Sequence, residues 1–349
     1  MLKASDPSGR QRVTLHDVAA AAGVSKSTVS RILDERLPRS ESQSARLVRQ
    51  IASELGYVRD SSAASLRRGK TSTIGVIVPH LTDTVMAMVY EALARACQKA
   101  GQFAIVATSE DEPEADRRAA ETLLSRGVDG LILTTAMLGD SFAELKERNV
   151  PYVLVLRTNG EALASVGDDE LGGYLATRHL IDLGHRRIAM ISGDLHVSSA
   201  TDRQRGYRRA MKEGGLEVAD ALVVASGFGI DDGAEAALQL MASPKRPTAI
   251  FAVNDNVAIG AMSSLSSMGL SVPDDVSIVG YNDMPIVQHL PTPLTSVRVP
   301  FDQIATAAIE LLRSVTLGRP DKIRVATPTL IPRRSTARNV ANEVRRPKR

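Results

Sequence analysis

Residues 13–31 read VTLHDVAAAAGVSKSTVSR. Thr14 followed three positions later by Asp17 is a capping box, in which each side chain satisfies an orphan N–H at a helix start. Leu15, Val18, Ala19 and Ala22 then fall on one helical face. Gly23 ends that helix, because glycine tolerates the left-handed conformation of a tight turn. Ser25 caps a second helix over 26–33, with Val24 leading in and Val29 and Ile32 on its buried side. Lys26, Ser27, Ser30 and Arg31 are left facing outward. A third amphipathic helix is predicted from about Ser44 to Leu55, with Leu47, Val48, Ile51 and Leu55 as its apolar stripe. Two short helices joined by a glycine turn, the second presenting small polar and basic groups, suit the major groove of DNA. A three-helix bundle with no nucleic-acid role is the competing reading of the same pattern.

Charge separates the two. Residues 1–70 hold 13 Lys and Arg against 7 Asp and Glu, residues 71–332 hold 23 against 32, and residues 333–349 hold 7 against 1. A basic head on an acidic body is the distribution of a nucleic-acid-binding module attached to a separate domain. The basic end (Arg345, Arg346, Pro347, Lys348, Arg349) reads as a frayed terminus, and residues 337–349 are expected to form a disordered tail.

Outside the head the sequence first bounds the class. At 349 residues, 43% hydrophobic and 24% charged, the chain is long enough for two or three folding units with real cores. No run of about 18 apolar residues occurs, so no membrane partner is expected. Cys97 is the single cysteine, which excludes a disulfide framework and a multi-thiolate metal site. The first thirty residues contain no uninterrupted apolar stretch of the secretory kind, so a reducing cytoplasm is the expected location.

From Thr73 onward, β-branched runs alternate with amphipathic stretches of helical period. TIGVIV (73–78) precedes a helix from about Thr84 to Ala100, and FAIVAT (103–108) precedes one from Pro113 to Arg126. GLILT (130–134) and YVLVL (152–156) continue the series. IAMIS (188–192), LVVA (222–225), AIFAV (249–253) and VSIVG (276–280) form a second one. Alternation of this kind builds parallel, doubly wound sheets, one per lobe, which bind ligands beyond the carboxyl ends of their strands.

The head sequence, then ELGYVRDSSAASLRRGKTSTIGVIVP (54–79), VDGLIL (128–133), LGHRRIAMISG (183–193), FAVNDNVAIGA (251–261), VPDDVSIVGYND (272–283) and PLTSVRVP (293–300), resemble the LacI/GalR family of bacterial repressors in the same order. The resemblance implies a helix-turn-helix head (1–59), a hinge helix and linker (60–70) and a two-lobed α/β, periplasmic-binding-protein-like effector domain (71–336). Three crossings between lobes are implied, with lobe 1 at about 71–164 plus 292–322 and lobe 2 at about 165–291 plus 323–336. It also implies a homodimer on a pseudo-palindromic, double-stranded operator, and no cofactor. Lys26, Ser27 and Arg31 match base-reading positions, and Arg31 suits bidentate bonding to guanine. Thr14, Leu15, Ser25, Thr28 and Ser30 match phosphate-holding positions, while Leu66 and Ala63 match a leucine wedged into the minor groove and its small neighbour. The loop ILDERLPRSESQS (32–44) departs from the family: it is about one residue longer than usual, Arg39 replaces an apolar residue, and Asp34 a phosphate-contacting Asn.

For the effector, the resemblance points to Pro79, Asp83, Thr134, Leu156, Arg157, Thr201, Arg203, Phe228, Asn254, Asn282 and Phe301. Three depart from the family's sugar-binding pattern: Leu156 and Asn282 stand where aspartates are common, and Thr201 where an arginine is. Polyol recognition draws on bidentate bonds from charged groups, so a small metabolite other than a simple neutral sugar is expected, possibilities including a sugar acid or other carboxylate held by Arg157 or Arg203. Arg203, three before Gly206, also reads as structural.

Other classes fit less well. GFG (227–229) with Gly233 has the spacing GxGxxxG, not that of a dinucleotide loop. The six histidines, His16, His80, His179, His185, His196 and His289, include no pair at metal-ligand spacing, and no GxSxG occurs, so no enzyme is expected. A small-molecule binding protein with no sequence-specific DNA role is the alternative, opposed by the basic head.

Overall fold

A computed structural model describes residues 13–34, 38–58, 71–136, 142–315 and 322–339. The chain divides into two compact units, Met1–Thr71 and Ser72–Arg349.

Among the described residues, the first unit contains three helices, Leu15–Ala22, Lys26–Ile32 and Gln43–Glu54. Both halves of the Thr14–Asp17 capping box are made, the Thr14 N–H lying 2.8 Å from the Asp17 carboxylate. Gly23 takes φ 66°, the left-handed turn its position requires. Ser25 caps the second helix by accepting from the Thr28 N–H at 3.2 Å. The core is Val18, Ala19, Val29, Val48 and Ala52. The third helix departs from its expected stripe: Ala45, Val48 and Ala52 are buried, whereas Leu47 and Leu55 are 47% and 40% exposed. Small alanines let this helix sit close to its neighbours, which moves the contact line off the leucines. The expected hinge, with Ala63 and Leu66, lies outside the described residues.

Among the described residues, the second unit holds twelve strands. They are β1 Thr73–Val78, β2 Phe103–Thr108, β3 Gly130–Leu133, β4 Tyr152–Val155, β5 Ala164–Gly167, β6 Ile188–Ser192, β7 Val223–Ala225, β8 Ala249–Ala252, β9 Ser277–Asn282, β10 Thr295–Arg298, β11 Ile323–Ala326 and β12 Thr329–Ile331. One sheet has the order β11-β5-β4-β3-β1-β2 and the other β12-β10-β9-β8-β6-β7. All pairings are parallel except β10 with β12. Near-continuous burial along β1, β3, β6, β8 and β9 is what a sheet covered by helices on both faces demands.

Strand pairing corrects the expected lobe boundaries. Residues 165–167 belong to the first sheet, because β5 runs through Gly167 beside β4 and β11. β10 pairs with β9 in the second sheet, although 292–322 was expected in the first lobe, and β11 pairs with β5 in the first, although 323–336 was expected in the second. The crossings therefore fall near 167–169, 298–301 and 326–329. The expected tail is also tied down at its start: the Ala337 N–H donates to Ser277 Oγ at 3.1 Å and the Asn339 N–H to the Leu183 carbonyl at 2.9 Å.

Candidate functional site: an inter-lobe cavity and an exposed recognition helix

The second helix of the first unit carries the expected DNA-facing residues. Lys26, Ser27 and Arg31 are exposed, and Lys26/Ser30 and Ser27/Arg31 are i, i+4 pairs that share one face. Thr14 and Ser25 are exposed while Leu15, Thr28 and Ser30 are half-buried. The Thr14 and Ser25 hydroxyls are engaged as caps, Ser25 Oγ also lying 2.8 Å from both Ser27 Oγ and Thr28 Oγ1.

Within the second unit a cavity of about 600 Å³ lies between the two sheets' carboxyl ends. Pro79, Asp83, Leu156, Arg157, Arg203, Phe228, Asn254 and Asn282, all expected there, line it. Thr134, Thr201 and Phe301 do not. Thr134 is fully buried and donates to the Ile77 carbonyl, Thr201 donates to the Leu195 carbonyl at 2.8 Å, and Phe301 is packed in the core. Their positions along the chain were those of lining residues, yet each is turned away to satisfy a local bond or a packing contact. Asp111, Ser199, Ile230 and Asn256 also line the cavity and were not anticipated. Asp111 and Asn256 carry a partial signal, since each closely follows a strand end on its side of the cleft.

Helix starts position most of the polar wall. Asp83 caps the helix Thr84–Lys99 by accepting from the Val85 N–H at 3.0 Å. Asn254 caps Asp255–Ser267, accepting from the Val257 N–H at 2.8 Å and donating to the Phe228 carbonyl at 2.9 Å. That bond fixes the loop carrying Phe228. Across the cleft, Asn256 Nδ2 approaches Asp83 Oδ1 at 3.4 Å and the Thr158 N–H donates to Ser198 Oγ at 2.9 Å. Burial raises the Asp83 carboxyl above its ordinary value, partly offset by the Val85 and Asn256 hydrogen bonds.

Both arginines are already partnered. Arg157 is buried and paired bidentately with Asp111, at 2.9 and 3.1 Å, and reaches the Thr135 carbonyl at 3.4 Å. Arg203 donates to Asp169 and to the Val253 carbonyl, both at 2.8 Å, and its guanidinium lies 3.7 Å from the Tyr281 ring centroid. The spacing of Arg203 and Gly206 has a packing reason. A Cβ at Gly206 would strike the Glu170 carbonyl, and one at Gly173 the Arg203 carbonyl, so glycines let the helices Asp169–Asp182 and Ser198–Glu213 approach until Arg203 meets Asp169. The charges of both arginines, expected to hold a carboxylate effector, are matched by the protein's own carboxylates.

Backbone strain clusters at the same wall. Leu156 (φ 67°), Asn282 (φ 100°) and Asp111 (φ 59°) are non-glycine residues in the left-handed region. Such outliers persist where surrounding structure over-determines them, and they are typical of ligand clamps.

The model for bacterial regulatory proteins of the lacI family matches residues 14–60, and that for a periplasmic binding protein-like domain matches 177–336. The ribose operon repressor of Escherichia coli (strain K12) is 35% identical over 303 residues, covering 86% of this chain and 92% of the relative. The HTH-type transcriptional repressor PurR of Vibrio campbellii is 33% identical over the same length, covering 86% and 90%. Among solved structures, the lac repressor dimer bound to operator and the anti-inducer ONPF superposes with TM-score 0.81 at 27% identity, covering 93% of this chain and 99% of that one. A LacI family regulator from Enterococcus faecium with bound ribose gives TM-score 0.67 at 27% identity, covering 76% and 99%. A helix-turn-helix head and a two-sheet cleft define a ligand-responsive DNA-binding regulator. The chain belongs to the LacI family of bacterial regulatory proteins. It is a DNA-binding transcriptional regulator of the repressor type with an effector-binding domain, which sets aside the alternative of a binding protein with no DNA role.

Proposed function

We propose that the protein is a homodimeric, non-enzymatic cytoplasmic repressor whose cavity takes a small uncharged ring compound bearing hydroxyl or N–H donors. In this reading the ring lies on Phe228 against the apolar Leu156, and its donors face Asp83 with Asn256 as second partner. One observation carries the effector class: Arg157 and Arg203 are held by Asp111 and Asp169. A ligand carboxylate would have to displace an internal one or add a further negative charge beside Asp83 and Asp111, at a desolvation cost without compensation. The solved structure of the Enterococcus regulator with bound ribose supports an uncharged ring. Lys26, Ser27 and Arg31 would read bases from two heads in successive major grooves, and ligand and operator are linked through the lobes' arrangement.

The test is calorimetric titration of the full-length protein with neutral pentoses, hexoses and purine bases, the sugars each paired with the matching sugar acid. The expected result is binding of a neutral compound at least tenfold tighter than any acid. Tight binding of an acid that vanishes in Arg157→Ala would overturn the reading.

A further inference from the structure

Asn254 and Asn282 line the cavity, and each is followed by an aspartate that points behind the wall. Asp255 is fully buried, and its carboxylate accepts from the Ser296 hydroxyl at 2.6 Å and the Met284 N–H at 2.8 Å. The residue opposite is Gly280, where any Cβ would collide with Asp255 Oδ1. Ser296 Oγ in turn accepts from the Asp283 N–H at 3.1 Å. Asp283, with φ 55°, pairs with Arg298 at 2.7 Å and Arg333 at 2.6 Å. Ser296 and Arg298 lie on β10, which leads into the crossing at 298–301. Arg333 follows β12, the first strand after the crossing at 326–329. Two neighbouring carboxylates thus hold β10 where it leads into the crossing at 298–301 and, through Arg333, the chain just beyond β12, the strand that begins at the crossing at 326–329, immediately behind the two cavity asparagines.

We propose that Asp255, acting with Asp283, is a positioning residue that fastens the cavity wall at Asn254 and Asn282 to the crossings at 298–301 and 326–329, so that movement of the wall is delivered to the hinge between the lobes. The inference rests on the cavity being the effector site, but its mechanical part does not depend on which compound binds. Burial pushes the Asp255 carboxyl up to about 7; Asp283 adds to this and Arg333 opposes it, with Ser296 and the Met284 N–H also holding it down. Any opening that hydrates Asp255 returns it towards the ordinary carboxylate range and releases a proton, so ionisation favours opening of the fastening.

Hydrogen exchange of the full-length protein, without effector or DNA, tests this. After correction for intrinsic rates, peptides spanning 295–301 and 326–333 should exchange at least threefold faster at pH 8 than at pH 6. Asp255→Asn, which keeps the size and carries no charge, should abolish that pH dependence. Asp255→Ala should accelerate both segments at both pH values while leaving the core strand Ile188–Ser192 unchanged. A pH dependence surviving in Asp255→Asn, crossings indifferent to Asp255→Ala, or acceleration spread equally to 188–192 would each overturn the proposal. Failure of every titrated sugar or base to bind would count only against the effector reading.

Discussion

Arg157 shows what a residue discloses by itself and what it withholds. Its place after a buried strand is legible in YVLVLR, and so is its orientation towards a cleft. Its partner is not, because Asp111 lies 46 positions earlier and meets it only once β2 and β4 stand in one sheet. Leu156 beside it carries the same lesson: nothing in its side chain announces φ 67°, a conformation that Asn or Asp tolerates better. The pair makes a direct prediction. Asp111→Ala leaves a guanidinium that is 8% exposed without its carboxylate and should destabilise the protein by roughly 3 kcal/mol. Arg157→Leu added to Asp111→Ala should restore most of that loss, since an apolar side chain has no charge to desolvate. Urea unfolding of the full-length chain measures both. Simple additivity of the two substitutions would show that the pair is not coupled.

At the scale of elements, the signals that succeeded were local. A capping box, a glycine at a left-handed C-cap and β-branched runs each act within a few residues, and the helices and most strands appear within a residue or two of where those signals put them. The failures were topological. β11 and β12 are separated by only two residues yet lie in different sheets, and no local pattern records which edge a short strand joins. Residues 337–339 were likewise placed in a disordered tail because basic residues dominate the composition of the chain's end, yet with 333–336 they form an ordered strap. It is held by two imidazoles, the buried His185 and the half-buried His179: His185 contacts Thr248 Oγ1 at 2.9 Å and the Ala337 carbonyl at 3.1 Å, and His179 contacts Thr336 Oγ1 at 2.9 Å. Burial lowers both histidines below their ordinary value of 6.5. A depressed histidine contributes stability above the unfolded value, and that contribution is lost as pH falls below 6.5 through the folded value. The wild type should therefore lose more stability than His185→Asn between pH 7 and pH 5. Comparing the two by urea midpoint cancels Asp255, whose raised carboxyl acts in the opposite sense by lowering stability as pH rises towards 7. Parallel pH profiles for the two proteins would contradict the assignment.

For the whole molecule, the uneven charge is the feature with the longest reach. A head with 13 cations against 7 anions is joined to a middle stretch, 71–332, with 23 against 32, so the head attracts phosphates while most of the effector domain repels them, the basic segment 333–349 (7 against 1) aside. Sequence supplied this distribution directly, whereas it could not show that the cleft's own charges are internally matched. Two such heads related by a twofold axis should select a duplex with the same symmetry. The measurement is enrichment of a random duplex pool on the full-length protein, followed by titration of the winner and its variants. The enriched sequence should be a pseudo-palindrome, and its affinity should fall more than tenfold between about 50 and 200 mM salt, as release of counterions by several phosphate contacts requires. Arg31→Ala should cost about 1–3 kcal/mol and relax discrimination at one base pair in each half-site, because removing a side chain that reaches a base edge loses information as well as attraction. A loss that is uniform across all sequence variants would make Arg31 a phosphate contact, and base reading would then rest on Lys26 and Ser27 alone. An enriched sequence without dyad symmetry would separate the head's grip on DNA from any pairing of two copies.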